Sequence, residues 1–198
     1  MTTADELGLL DRLRAGDEDT FAALVRRHQT GMVRLALAYV PNRAVAEEVV
    51  QEAWLGMLRG IDRFEGRSSL KTWLYRIVVN RARSTGERER RVTPLDLTGS
   101  ADTVERFAPD GAWADPPVPW TEQVEERLTA AALRGRVHTC LETLPTSQRE
   151  VVTLRDIDGL SASETCEVLG ISEANQRVLL HRGRSRLRLQ LDAELRQG

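Results

Sequence analysis

The side chains in this sequence best suited to a chemical task are arginines gathered in two places. Six stand between Arg76 and Arg91 (76, 81, 83, 88, 90 and 91) against Glu87 and Glu89 alone, and five between Arg177 and Arg188 (177, 182, 184, 186 and 188) with no acid among them. A guanidinium is planar, permanently charged and able to donate two parallel hydrogen bonds to a phosphate or to the edge of a guanine. Such clusters read as nucleic-acid contacts, and the net charge of −2 does not argue otherwise, because the distribution of charge decides, not its sum. The preference for arginine carries no weight of its own. Lys71 is the only lysine, a bias that a GC-rich genome produces as readily as a need for bidentate contacts.

Other chemistries find no pattern to rest on. Cys140 and Cys166 are far apart and fit neither a CxxC pair nor a disulfide framework, so both are expected as buried, reduced thiols. His138 lies close to Cys140, but His28 and His181 have no neighbours at ligand spacing, and a zinc site wants four ligands; no metal is expected. No nucleophile and base pair and no glycine-rich phosphate loop stands out, so no enzymatic activity and no cofactor are expected. The start, MTTADELGLLDR, lacks the basic and apolar segments of a signal peptide, and no apolar run approaches the roughly 18 residues of a membrane span. A cytoplasmic protein without membrane insertion is the expectation.

The elements that must carry the arginines are helices. Aromatic residues make up only 5% of the chain, and apolar residues recur at three- and four-residue spacing. Four helices are expected in the first half. Phe21, Leu24, Val25, His28, Met32, Leu35, Ala36 and Tyr39 form one stripe, closed by Pro41 and Asn42; Ala46, Val49, Val50, Ala53, Met57 and Ile61 form the next. A Phe64–Ser69 loop then offers serines to cap a helix that turns Leu70, Trp73, Leu74, Ile77 and Val78 inward. On that helix Arg76, Asn80 and Arg83 fall at i, i+4 and i+7, an outward basic face. On the helix before it, Glu48, Gln51, Glu52 and Leu55 share an exposed face that suits a protein partner or plain solvent.

Between Val92 and Thr121 periodicity disappears. Five of the seven prolines (94, 109, 116, 117 and 119) appear there, with Asp96, Asp102, Glu105, Asp110 and Asp115 against Arg106, which reads as an extended acidic linker. Trp113 and Trp120 within it point to contact with something. The expected organisation is therefore two small all-α domains, residues 1–91 and 123–198, joined by a tether over 92–122.

In the second half, Val124, Leu128, Val137, Leu141 and Leu144 lead to a break at Pro145, and Val151, Val152 and Leu154 begin a short helix. Ser161-Ala162-Ser163-Glu164 is a capping box; Gly170 supplies a left-handed turn after Leu169, and Ser172 caps a last helix. Helix, glycine turn and basic helix make a helix-turn-helix. Leu180, Gly183, Leu187 and Leu191 share the inward face of the last helix, while Val178, His181, Arg182, Ser185 and Arg188 share the outward one, flanked by Asn175 and Arg177. Asn175 and Arg177 suit base edges, Val178 a thymine methyl and the downstream arginines phosphates.

Two stretches carry a family resemblance. Ala46-Glu47-Glu48-Val49-Val50-Gln51-Glu52-Ala53-Trp54 with the run from Phe64 to Asn80 resembles region 2 of the extracytoplasmic function (ECF) sigma factors of the sigma-70 family. Leu144-Pro145 through Arg149, Leu154 through Ser161, and Leu169-Gly170-Ile171-Ser172 are similar to region 4 of the same family. The resemblance implies a factor that binds core RNA polymerase, directs it to promoters and helps open DNA. Glu48, Gln51, Glu52 and Leu55 would grip the β′ clamp helices. Phe64, Arg67 and Ser68 would take up a base flipped from the minus-ten element, and Arg76, Asn80, Arg81 and Arg83 would line that element as its strands separate. Ser172, Asn175, Arg177, Val178, His181 and Arg182 would read the minus-thirty-five duplex. The β flap and an anti-sigma factor are the further partners implied, and the linker would thread toward the RNA exit path.

One departure from the family concerns Ala174-Asn175-Gln176-Arg177-Val178-Leu179, where the family commonly has a Gly-Thr-Val-led start; here Gln176 turns inward and Val178 outward. A helix-turn-helix regulator with an N-terminal sensor would account for the second half alone, leaving the basic helix and the Thr72-Trp73-Leu74-Tyr75-Arg76 segment without a task.

Overall fold

A computed structural model describes residues 4–92 and 130–197. The first set of helices is α1 (Ala4–Arg14), α2 (Glu18–Ala36), α3 (Arg43–Gly60) and α4 (Leu70–Val92), with a 3-10 turn over Ile61–Arg63. The second set is α5 (Ala130–Glu142), α6 (Thr146–Val152), a wider π-type turn over Thr153–Ile157, α7 (Ala162–Leu169) and α8 (Glu173–Gln197). The tether expected over 92–122, with Trp113, Trp120 and the neighbouring Val124 and Leu128, lies outside the described residues.

Local chemistry explains where the helices begin. The Asp17 carboxylate accepts from the Thr20 amide (3.1 Å) and hydroxyl (2.9 Å), and these bonds hold its pKa below the usual carboxylate value. Asn42 accepts from the Val45 amide at 3.0 Å. Asn42 is thus the cap of α3, whereas α2 stops at Ala36, ahead of the expected Pro41; the Leu37 and Tyr39 amides donate back to Val33 and Ala36 and wind the chain out of the helix first. The Ser69 hydroxyl accepts from the Thr72 amide at 3.1 Å and starts α4. The capping box is complete, with the Glu164 amide donating to the Ser161 hydroxyl (3.2 Å) and the Ser161 amide to the Glu164 carboxylate (2.8 Å). Gly170, at φ +69°, makes the turn, and Ser172 accepts from the Asn175 amide at 3.2 Å to open α8.

The core of the first set is built from the expected stripes of α2, α3 and α4, with Met32, Leu35, Ala46, Val50, Ala53, Met57, Leu74 and Val78 fully enclosed. Trp54 joins it, its indole N–H donating to Gln29 at 2.7 Å and its ring set perpendicular to Phe21. In the second set α8 lies so close to α6 that a Cβ on Gly183 would stand 2.6 Å from Val152 Cγ2 and 3.4 Å from Gln148 Cβ. Val152 is β-branched and stiff, so Gly183→Val is expected to destabilise the fold by about 1–3 kcal/mol, read from the midpoint of urea unfolding.

His28 is buried with its ring perpendicular to that of Tyr75, 6.2 Å between ring centres. Burial, with help from Arg27 and Lys71, lowers its pKa from 6.5 to about 4. The unfolded chain therefore binds this proton more tightly, and the stability that rests on a neutral His28 is complete above pH 6.5 and is lost as pH falls toward 4. The stability difference between wild type and His28→Gln in urea melts should shrink steadily across that window; a constant difference would contradict a neutral, buried imidazole.

The two sets do not stand apart. Beyond its expected inward stripe, α4 carries a second buried one of Thr72, Tyr75, Val79 and Ala82, all 2% exposed or less. This side meets α7 and the turn before it: Thr72 donates to Glu164 at 3.1 Å, and Arg83 donates to the Leu169 carbonyl at 3.2 Å. Buried residues of both sets form a single hydrophobic cluster. Cys140 is buried as expected, but Cys166 is only partly covered; neither is in a disulfide among the described residues.

Candidate nucleic-acid and protein interfaces

On α3, the stripe buried against α2 and α4 leaves Glu48, Gln51, Glu52 and Leu55 together on the exposed side. Leu55 is 47% exposed, and Leu58, which no pattern in the sequence singles out, is 42% exposed beside it. The face is acidic with an apolar strip. Its far edge meets α4, where Arg81 donates to Glu52 at 2.8 Å.

The loop between the 3-10 turn and α4 is anchored from below. Arg14 donates to the carbonyls of Phe64 (2.8 Å) and Ile61 (3.3 Å), and the Phe64 ring is buried against Trp73 with centroids 4.8 Å apart. Phe64 therefore does not present its ring to a flipped base; it supports the loop from inside. Arg67 is open to solvent and paired with Glu65 at 3.1 Å, and Ser68 is half-buried.

The outward side of α4 divides in two. Asn80 and Arg81 join Ile77, Ser84 and Arg88 in a polar groove along α3. Ser84 and Arg88 continue Asn80 at four-residue spacing, a signal that the sequence does carry. Arg76 and Arg83 turn the other way, toward α6 and α7, with Arg76 4.0 Å from Glu167 and Arg83 3.8 Å from Glu150.

On α8 the expected reading face is exposed: Asn175, Arg177, Val178 (46%), His181 and Arg182 stand outside, while Gln176 is 1% exposed and points in. Arg177 lies 3.8 Å from Glu173 one turn back. Ser185 departs from expectation. It is buried rather than outward, because α5, α6 and α7 all pack on α8, and its hydroxyl is satisfied by donating to the His181 carbonyl at 2.8 Å. Two arginines of the cluster are structural: Arg184 donates twice to Asp156, at 2.9 and 2.6 Å, and Arg186 donates to Gln148 at 3.3 Å. Beside them Val137, Leu141, Ile157 and Leu191 line an apolar groove that the sequence did not announce.

Residues 24–92 match the family model of Sigma-70 region 2, and residues 134–187 that of Sigma-70, region 4. Over 89% of this chain and 88% of the relative, the sequence is 34% identical to the ECF RNA polymerase sigma-E factor of Escherichia coli K12. This chain belongs to the ECF sigma factors of the sigma-70 family. The RNA polymerase sigma-H factor of Pseudomonas aeruginosa is 30% identical across 100% of this sigma factor and 99% of its own length. The fold is shared with CnrH, solved in complex with the cytosolic domain of CnrY (TM-score 0.61, 24% identity, 95% and 97% of the two chains). It is shared also with the sigma factor RpoE of Bartonella quintana, solved with the anti-sigma factor NepR (TM-score 0.57, 21% identity, 95% and 94%). As a sigma factor this protein is a transcription initiation factor that binds core RNA polymerase and directs it to promoters. No helix among the described residues is long and apolar enough to cross a membrane.

Proposed function

We propose that the tasks of this sigma factor divide along the chain. Residues 1–91 hold core polymerase and the melting minus-ten element, and residues 123–198 read the minus-thirty-five duplex, across the tether of residues 92–122. The observation that carries the division is the presence of two separate exposed polar and basic surfaces, one on α4 and one on α8, in segments matching two different family regions. Glu48, Gln51, Glu52 and Leu55 form the clamp-binding face, extended by Leu58. Arg67 and Ser68 on the loop, with Arg76, Asn80, Arg81 and Arg83, hold the separated strand, and Phe64 positions that loop. Ser172, Asn175, Arg177, Val178, His181 and Arg182 face the upstream duplex. The outward Val178 in place of a polar residue favours contact with a thymine methyl there. The apolar groove between α5 and α8 suits the β flap, and a protein partner that restrains the factor, as NepR accompanies the Bartonella protein, belongs to the same reading.

Neither basic surface is large, and on α4 Arg76 and Arg83 stand against Glu167 and Glu150. The free protein should bind double-stranded promoter DNA only at the non-specific level, a Kd of roughly 10⁻⁴–10⁻⁶ M at physiological salt, and become selective with core polymerase. Gel shifts with and without core test this. Tight sequence-specific binding by the free chain would favour a conventional helix-turn-helix regulator.

A further inference from the structure

The loop assigned above to the melted strand is short, and both of its ends are fixed. At the far end Ser69 caps α4 through the Thr72 amide. Glu65, Gly66, Arg67 and Ser68 stand between the ends, with Gly66 at φ +69° and Glu65 and Arg67 open to solvent. At the near end the fixing group comes from neither flanking helix. It is Arg14, the last residue of α1, which reaches across 47 and 50 residues of chain to donate through Nε to the Ile61 carbonyl (3.3 Å) and through Nη2 to the Phe64 carbonyl (2.8 Å).

Arg14 itself starts from a rigid place. Leu10 and Leu13 hold α1 in the core at 2% and 5% exposure, and Gly16, at φ +78°, turns the chain straight toward α2 with its amide donating to the Leu13 carbonyl at 3.1 Å. The carbonyls it meets lie at the end of α3 and its 3-10 turn, where a helix runs out of internal donors and its dipole is negative, so a cation belongs there. Phe64 is also the residue at which the chain leaves the turn for extended backbone, at φ −72° and ψ 113°. A planar guanidinium bonded to both Ile61 and Phe64 therefore sets the direction in which the loop departs.

We infer that Arg14 is a positioning residue for base capture: it makes no contact with DNA, and it holds the backbone of the loop in the shape that accepts a flipped base. The inference rests on the assignment of Arg67 and Ser68 to the melted strand. Preorganisation gives these two bonds their leverage, because a loop that must be ordered when the base arrives binds it more weakly in proportion to the scarcity of the capturing form.

The test uses the full chain assembled with core polymerase on a promoter fragment that carries an abasic site at each position of the minus-ten element in turn. In the wild type, open-complex lifetime should fall most where the abasic site removes the flipped base. With Arg14→Ala that penalty should shrink about tenfold, as expected if the capturing form of the loop drops to about one molecule in ten. The salt slope of promoter binding should stay at its wild-type value, since Arg14 neutralises no phosphate. Asp11→Ala, which removes the 3.8 Å ion pair of Arg14 with a 78% exposed partner and leaves both carbonyl bonds, should match the wild type in both readouts. Hydrogen exchange in the free chain reads the loop without DNA: the Phe64 amide, which donates to Ile61 at 3.2 Å, and the amides of Glu65 to Ser68 should exchange faster in Arg14→Ala, while those in the middle of α2 and α3 keep their protection and show the fold intact. A salt slope lower by about one unit would make Arg14 a phosphate contact and overturn the inference. An abasic penalty unchanged by Arg14→Ala but removed by Arg67→Ala with Ser68→Ala would overturn it too, and leave the loop assignment standing. A penalty that survives Arg67→Ala with Ser68→Ala would overturn the loop assignment, and the role of Arg14 with it.

Discussion

Reversing Glu48 and Glu52 to arginine will abolish co-purification of this sigma factor with core RNA polymerase and leave its circular dichroism unchanged. Both carboxylates stand on the exposed side of α3, opposite the stripe that holds the helix in the core, so the fold does not depend on them. Among the described residues the reversal removes the 2.8 Å pair between Glu52 and Arg81, and Glu52 is 62% exposed there, where an ion pair contributes less than about 1 kcal/mol. At a docked interface the same reversal sets like charges against each other, a cost of several kcal/mol, or a loss of roughly a thousandfold in affinity. Retained binding would mean that this face is solvated surface and that polymerase is held elsewhere.

The two DNA surfaces should fail differently when tested on the polymerase-bound factor, where the domains are engaged separately. Arg177→Ala with Arg182→Ala should weaken promoter binding and lower its salt dependence by about one unit of slope for each phosphate no longer neutralised, with strand opening intact in complexes that form. Asn80→Ala with Arg83→Ala should do the reverse. Closed complexes should form nearly as before, while permanganate reactivity of unpaired thymines near the start site falls several-fold, because the freed strand loses one contact on each side of α4. The same closed-complex defect from both pairs, with normal opening afterwards, would contradict the division of labour.

Local signals in the sequence were faithful. The Ser161/Glu164 capping box, Gly170 and Ser172 act within four residues of their partners, so spacing alone locates them, whereas Asn42, read as closing α2, caps α3 instead. The inward Gln176 and outward Val178 follow from helical period on α8 in the same way. The misjudged features depend on distant chain. The resemblance puts Phe64 at a flipped base, and nothing nearby in sequence reports that its ring is buried against Trp73. Ser185 reads as outward until α5 and α7 arrive beside α6. The contact between the two sets was the largest omission: Arg34 donates to Asp158 across 124 residues of chain, and no local pattern pairs them. A partial signal did exist. Tyr75, Val79 and Ala82 lie off the stripe of Leu70, Leu74 and Val78, and a helix apolar on two sides is one buried on two sides.

Run-off transcription with purified core polymerase on genomic promoter fragments, with and without this protein, tests the central claim most directly. Core alone should give no discrete products, and addition of the full chain should yield defined transcripts from a small set of fragments, absent again with Glu48→Arg/Glu52→Arg. Identical products with and without the chain would contradict its role as the specificity subunit.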